Sequence, residues 1–436
     1  MKTIPRLIWL CTGVVLLAYY LPAGYRLLTA ERTRTPSVFY SAVGKQFVFS
    51  RFVDGAVRYV DRDGRTLERE EFERLLPLMN WAQLTKDGRM PREIDGTPTP
   101  LEAVRRAQFS VRLSPALLDS PLVPLTPLLE SSGQRARLEM PPDFLRLGAT
   151  VEFLDPQTNR VLAEKSARFA AAFAEEGFVF PAAFANGNPT NRKPYDEGCY
   201  LVDATGAVFQ LRQVRGEPEL RRLCAVVPAD QAEAWRALRP RYLHVQEIDS
   251  RELRVTIVGH DGTVHVALGS DYRLVPLPLR TFVPGRSELT LRGDLLNRVV
   301  IVESPGHLEV VALDRQYREI ARHAEALPQR ADALAGRVER ALFPFMWELR
   351  SRESGYLGFN VTWGSLAAVA MNALVLAGWL VARRFTRAPW SWLDVGAIAA
   401  GGVCGLLAVL AAPRAQAADA APTPRGRLLP ETTHPA

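Results

Sequence analysis

Two long apolar runs near the carboxyl end, Leu357 to Ala382 and Leu393 to Ala412, dominate the hydropathy pattern of the chain. Each is about as long as the roughly 20 residues a helix needs to cross a hydrocarbon core, so the pattern predicts a transmembrane helical hairpin over 357–412. The link between the runs holds Arg383, Arg384 and Arg387 and no acidic residue before Asp394. Short loops rich in Lys and Arg stay cytoplasmic, which puts the link inside and the segment between Arg26 and Tyr356 outside. A third run, Leu7 to Tyr25, follows Lys2 and Arg6. It exceeds a usual signal-peptide core, and Leu21-Pro22-Ala23-Gly24-Tyr25 offers bulky residues where a cleavage site wants small ones, so residues 1–25 read as an uncleaved signal anchor. Three crossings are expected, with the Pro- and Ala-rich tail 413–436 outside and disordered.

Between the membrane segments the period changes toward two. Ser37 to Phe52 and Ala56 to Val60 carry β-branched and aromatic clusters broken at Asp54-Gly55 and Asp61-Arg62-Asp63-Gly64, an opening hairpin. Phe72, Leu75, Leu76 and Met79 have helical spacing, whereas Leu84 to Thr99 and much of Ser114 to Pro142 hold too many Gly and Pro for a regular assignment. From Ala149 the strand signals dominate: Ala149 to Leu154 and Arg160 to Glu164 flank a turn. Three later units repeat a strand, turn, strand plan at Cys199 to Val214, Leu253 to Leu268 and Val299 to Leu313. Tyr272 to Leu277 and Tyr317 to Ala321 follow as further strands. Turn spacings of roughly 45 to 55 residues fit propeller-like blades and equally an irregular stack of antiparallel hairpins. Ala229 to Leu238 reads as a short helix. Ala331 to Arg350 reads as a helix leading into the membrane hairpin. The fold class expected is a mainly β extracytoplasmic domain over 26–356, with short helices, joined to three transmembrane helices.

Charge changes this picture little. The net charge of +7 comes from singly scattered arginines, with no Lys/Arg block beside stacking aromatics, so no nucleic-acid partner is expected. Of four cysteines, Cys11 and Cys404 lie in apolar runs and read as small hydrophobes. Cys199 and Cys224 either form a disulfide in an oxidising compartment, stabilising by about 3 kcal/mol, or stand as free thiols.

Candidate chemistry is sparse. His260 and His265 flank one hairpin turn and would share a metal only across it; surface histidines are the simpler reading. Asp61, Asp63, Asp203 and Asp261 sit where Asp is favoured in turns because its carboxylate bonds the local backbone. Asp61-Arg-Asp-Gly64 is similar to the start of a calcium loop, but Phe72 stands where that loop needs a bidentate Glu. The chain lacks a P-loop and a Gly-x-Ser-x-Gly elbow. No catalytic, cofactor or metal residue is assigned, and a non-enzymatic role is expected. In the membrane runs Ala397, Gly401 and Gly405 repeat every four residues, as do Gly364, Ala368 and Asn372. Small residues at this spacing permit close helix packing, either on each other or on a membrane partner.

Three stretches carry a family resemblance: Phe72-Glu-Arg-Leu-Leu-Pro-Leu-Met79 with Gly88-Arg-Met-Pro-Arg-Glu-Ile-Asp-Gly96; Gly198-Cys-Tyr-Leu-Val-Asp-Ala-Thr-Gly-Ala-Val-Phe-Gln-Leu-Arg-Gln-Val-Arg-Gly-Glu-Pro218; and Tyr272-Arg-Leu-Val-Pro-Leu-Pro-Leu279. Together they resemble an uncharacterised bacterial family, the domain of unknown function forty-eight fifty-seven. The resemblance implies a membrane-anchored extracytoplasmic protein whose relatives accompany ABC permeases and ATPases, and it supplies no catalytic residue. The expected function is therefore an accessory subunit of an ABC-type transporter or related envelope complex in the bacterial inner membrane, with its large domain in the periplasm. A periplasmic enzyme or ligand sensor with a propeller-like pocket is the alternative.

Overall fold

The computed structural model describes residues 3–29, 35–118, 125–132, 137–330, 332–351, 357–387 and 390–412. The tail after Ala412, and with it the expectation of disorder there, lies outside the described residues. The chain divides into two compact units, one of Met1–Ala30, Arg330–Leu349 and Phe359–Ala436, the other of Glu31–Gln329 with Arg350–Gly358.

The larger unit is β-rich and antiparallel. Four sheets are four-stranded meanders in chain order, the connectivity of propeller blades. They comprise Ser37–Ser41 through Thr66–Leu67, Leu125–Thr126 through Arg160–Val161, Phe184–Gly187 through Glu217–Arg222, and Pro240–Val245 through Arg273–Pro276. The fifth sheet runs from Glu288–Gly293 to Glu319–Ala326 and gains an early strand, Phe109–Leu113, paired antiparallel on Glu288–Gly293. Phe109–Leu113 shows why: buried and exposed positions alternate strictly, with Phe109, Val111 and Leu113 inside, the period a half-buried strand requires. The turns use the aspartates as turn chemistry demands. Asp61 accepts the Asp63 and Arg65 N–H groups at 3.0 and 2.9 Å. Asp203 accepts those of Thr205 and Ala207 at 2.9 Å each, and the following Gly64 and Gly206 sit at φ +84° and +89°.

Several elements differ from the sequence reading. Only Arg160–Val161 pairs as a strand. The chain then forms the helix Ala163–Glu175, which buries Phe169 and Phe173, four residues apart. The segment Leu84 to Thr99, read as loop, opens inside a short helix, Trp81–Lys86, and contains a minimal hairpin, Glu93–Ile94 with Thr97–Pro98. Cys199 and Cys224 are free thiols. Cys199 faces a core with Phe209 and Leu211, whereas Cys224 packs against a different cluster, so their side chains serve separate cores rather than one bridge. Burial pushes the Cys199 thiol up to about 12.

In the smaller unit, Thr3–Leu28, Leu366–Thr386 and Trp392–Ala411 are each long and apolar enough to cross a membrane. The run from Leu357 does not begin as helix. Residues Leu357–Trp363 form a strand paired with Phe345–Ser351, and the helix expected over Ala331 to Arg350 is confined to Leu334–Leu342, ending before Pro344. Arg383 and Arg384 occupy the last turn of the second apolar helix, where cations suit the helix dipole, and Arg387 caps it in the left-handed region at φ 49°. At the carboxyl end of the first helix Glu339 is buried between Arg26 and Arg330, with Arg330 also donating to Thr29 Oγ1 at 2.6 Å.

Candidate functional site

The membrane residues singled out by spacing are engaged inside the chain. A side chain at Gly364 would meet the Phe343 carbonyl, one at Gly401 would lie 3.1 Å from Val14 Cγ1, and one at Gly405 would overlap the Ala397 carbonyl. Ala368 is buried, and Asn372 donates to the Ala399 carbonyl at 3.2 Å. Gly364, Gly401, Gly405 and Asn372 thus each lie against another part of this chain. Of the histidines, His260 is exposed and His265 lies on Val264–Leu268; among the described residues no group of three metal-ligating side chains gathers.

One polar cluster is deeply buried and closed. Lys193 Nζ bridges Asp196 Oδ1 at 2.6 Å and Glu247 Oε1 at 2.7 Å. Asp196 Oδ2 accepts from Ser131 and the Gly198 N–H. Glu247 accepts from the Glu197 N–H and Asn188. Each carboxylate oxygen has a donor, which is the condition for burying charge. Burial raises the Glu247 pKa, with the Glu197 N–H and Lys193 opposing it.

The site with unspent binding capacity is a cavity of about 420 Å³ lined by parts of the first and fifth sheets and the turn after the helix Arg69–Leu75. Its wall is apolar: Val38, Phe39, Leu76, Leu78 and Phe109. The turn holding Leu76 and Leu78 is fixed by Ser41, which donates to the Leu75 carbonyl at 2.5 Å, and by Gln108, which donates to the Leu78 carbonyl at 2.6 Å. Gly293 pairs across the sheet with Phe109, and a Cβ there would enter the Phe109 ring; glycine lets that ring lie along the wall.

Polar groups gather at the rim. Arg292 is exposed, and its guanidinium stands 5.9 Å from the Phe39 ring with no hydrogen bond or ion pair among the described residues. Although the residue as a whole is exposed, partial desolvation of its guanidinium lowers its pKa from the ordinary value. Asn297 is buried and its Nδ2 has no acceptor. Tyr40 also lines the cavity, its phenol pKa raised by burial. Asp294 accepts the Leu296 and Asn297 N–H groups at 2.8 Å each, and burial raises its carboxyl pKa. An unpaired cation and an orphaned amide donor above an apolar wall can hold an amphipathic molecule with an anionic head, within the size range of small-ligand pockets. The sequence reading missed Arg292, Gly293 and Asn297. The Arg-Gly-Asp-Leu-Leu-Asn run signals a turn, but nothing in it shows that the turn faces the strand Ser37–Ser41.

Comparison with solved structures finds the Myceliophteria thermophila Cps50 (Swd1) β-propeller domain, at 10% identity and a TM-score of 0.26, covering 75% of this chain and 86% of that one. Among curated proteins no relative matches. The family of the domain of unknown function DUF4857 matches residues 37–313, well over half of the 436, a span that includes all five sheets' central strands and the whole cavity wall. The chain belongs to the DUF4857 family.

Proposed function

We propose that this protein is a membrane-anchored, non-enzymatic accessory subunit of an ABC-type transporter or related envelope complex, held in the bacterial inner membrane with its β-rich domain in the periplasm. The domain's task is to hold an amphipathic molecule with an anionic head. The observation that carries the ligand assignment is the apolar cavity whose rim bears Arg292 and the orphaned Asn297 amide; the transporter association rests on the family resemblance alone. Apolar helices tether the chain to lipid, where such ligands are concentrated. Arg292 favours an anionic head and disfavours a cationic one by setting like charge beside it, while the Asp294 carboxylate on the same rim is turned to the Leu296 and Asn297 N–H groups.

The test is native mass spectrometry of the full-length protein purified in mild detergent, with co-purifying proteins identified. A permease and an ATPase in fixed ratio, with a lipid-sized anionic adduct lost in Arg292→Gln, are expected. The protein recovered alone argues against the accessory role, and an adduct indifferent to Arg292 argues against the ligand assignment.

A further inference from the structure

The third apolar helix is not one rod. Gly402, midway along Trp392–Ala411, has φ 54° and ψ −125°, which breaks the helix and lies where side chains other than glycine's are strained. Two half-helices of about ten residues result, each near half the roughly 20 needed to span a bilayer.

Contacts with the first apolar helix show which way each half runs. Arg6 pairs with Asp394 at 2.7 Å. Seven residues on, Gly401 meets Val14, a rise of about 10 Å matched by about 12 Å along the first helix. Past the break, Cys404 clusters with Ala18. The register then reverses: a Cβ at Gly13 would lie 3.2 Å from Ala408 Cβ, and Ala408, Val409 and Ala412 cluster with Leu10. A continuous helix would instead carry Ala408 about 10 Å beyond Gly401, level with Leu21. The second half therefore descends beside the first, and Gly405 fits against the Ala397 carbonyl because it has no side chain. Non-helical backbone at membrane depth is tolerated only inside protein. Here Asn372 reaches from the second apolar helix to donate to the Ala399 carbonyl at 3.2 Å, and a Cβ at Gly402 would collide with the Asn372 side chain. The break is thus enclosed and partly satisfied. At the mouth, Ser391 and Asp394 form a capping box, so the Arg6 face carries a built helix start.

We infer that residues 392–412 form a re-entrant helical hairpin, entering and leaving the bilayer at the face that carries Arg6. The chain then crosses twice rather than three times, and both termini lie on one side. The inference is independent of the proposed ligand and partners.

Cysteine cross-linking in membranes tests it. In a chain with Cys11→Ala and Cys404→Ala, oxidation is expected to join Gly13→Cys to Ala408→Cys, read by peptide mapping. A bond between Leu21→Cys and Ala408→Cys, with none at Gly13, overturns the hairpin. Because those variants touch tight packing, a second measurement uses the chain with natural residues throughout, carrying epitope tags at both ends. The two tags are expected to become accessible on the same membrane face, and tags on opposite faces overturn the inference.

Discussion

Replacing Lys193 by Met removes the one cation between two carboxylates that the fold hides from water. The side chains of Lys193, Asp196 and Glu247 are 3%, 2% and 0% exposed, so the remaining charges gain nothing from solvent. Breaking such a buried pair costs about 3–5 kcal/mol, because the cost is the uncompensated charge and not the lost contact. The exposed pair Lys45 and Asp95, at 66% and 65%, provides the internal contrast: an exposed pair of that kind contributes about 0–1 kcal/mol. At about 2–4 °C per kcal/mol for domains of 150–250 residues, Lys193→Met is expected to lower the unfolding temperature by roughly 10 °C, and Lys45→Met by no more than about 4 °C. The assay is thermal unfolding of the full-length protein in detergent, followed by tryptophan fluorescence, since Trp235 is buried in the larger unit. The pH dependence supplies a sign. Burial raises the Glu247 pKa, and losing Lys193 raises it further. An acid whose folded pKa exceeds its unfolded one contributes stability fully below the unfolded value, lost as pH rises through the folded value. The Lys193→Met deficit should therefore shrink on going from pH 8 toward pH 5, and Glu247→Gln in the same chain should recover part of it. Equal losses at Lys45 and Lys193, or a deficit that grows as pH falls, would refute the reasoning.

Gly293→Val pushes a branched side chain into the Phe109 ring and is expected to cost about 1–3 kcal/mol as overpacking, read by the same unfolding scan; an unchanged transition would show that the cavity wall has slack. Burial lowers the pKa of His244 and, more than Asp261 can offset, that of His265. A base with a depressed folded pKa makes stability fall as pH drops below the unfolded value of about 6.5, so a decline between pH 7 and pH 5 is expected, flattened in His244→Gln with His265→Gln. Asp61 and Asp314, where burial is outweighed by backbone N–H and arginine donors, and Asp261, held by Thr263, have lowered pKa values and lose their stabilisation in a separate, more acidic window, below about 3.9. Glu339→Ala leaves Arg26 and Arg330 facing each other without their shared carboxylate and is expected to destabilise the smaller unit, shown by earlier proteolysis of detergent-solubilised protein at Arg26 or Arg330 by trypsin.

The strands were legible where period two met turn chemistry. Cys199–Val202 and Leu253–Gly259 run into turns carrying Asp and Gly, and His307–Leu313 leaves the turn Pro305-Gly306, signals that are local in the sequence. The helix Ala163–Glu175 was hidden because its burial rests on few anchors, Phe169 and Phe173 among alanines, and a short β-like start at Arg160 preceded it. The run from Leu357 hides a strand because Phe359, Val361 and Trp363 are as apolar as the helix that follows, and hydropathy sees only the sum. The break at Gly402 left no local mark: Gly396, Gly401, Gly402 and Gly405 are equally permissive in sequence, and what distinguishes Gly402 is a distant residue, Asn372, whose side chain lies against it. The cavity was illegible for the same reason. Arg292 and Asn297 border one turn, while Phe39 and Leu76 come from more than 200 residues earlier, and these distant parts meet through the pairing of Phe109–Leu113 with Glu288–Gly293 and the packing of Val38 and Phe47 on Leu308 and Val310.

The most direct measurement is equilibrium binding of three amphiphiles sharing one short acyl tail and bearing a carboxylate, a neutral or a quaternary ammonium head, to full-length protein and to its Arg292→Gln form. The carboxylate is expected to bind at least tenfold tighter than the other two, and Arg292→Gln to erase that preference while leaving the neutral compound unchanged, a difference of about 1.4 kcal/mol. Equal affinity for all three heads, or a preference that survives Arg292→Gln, would contradict the assignment of this cavity to an anionic amphiphile.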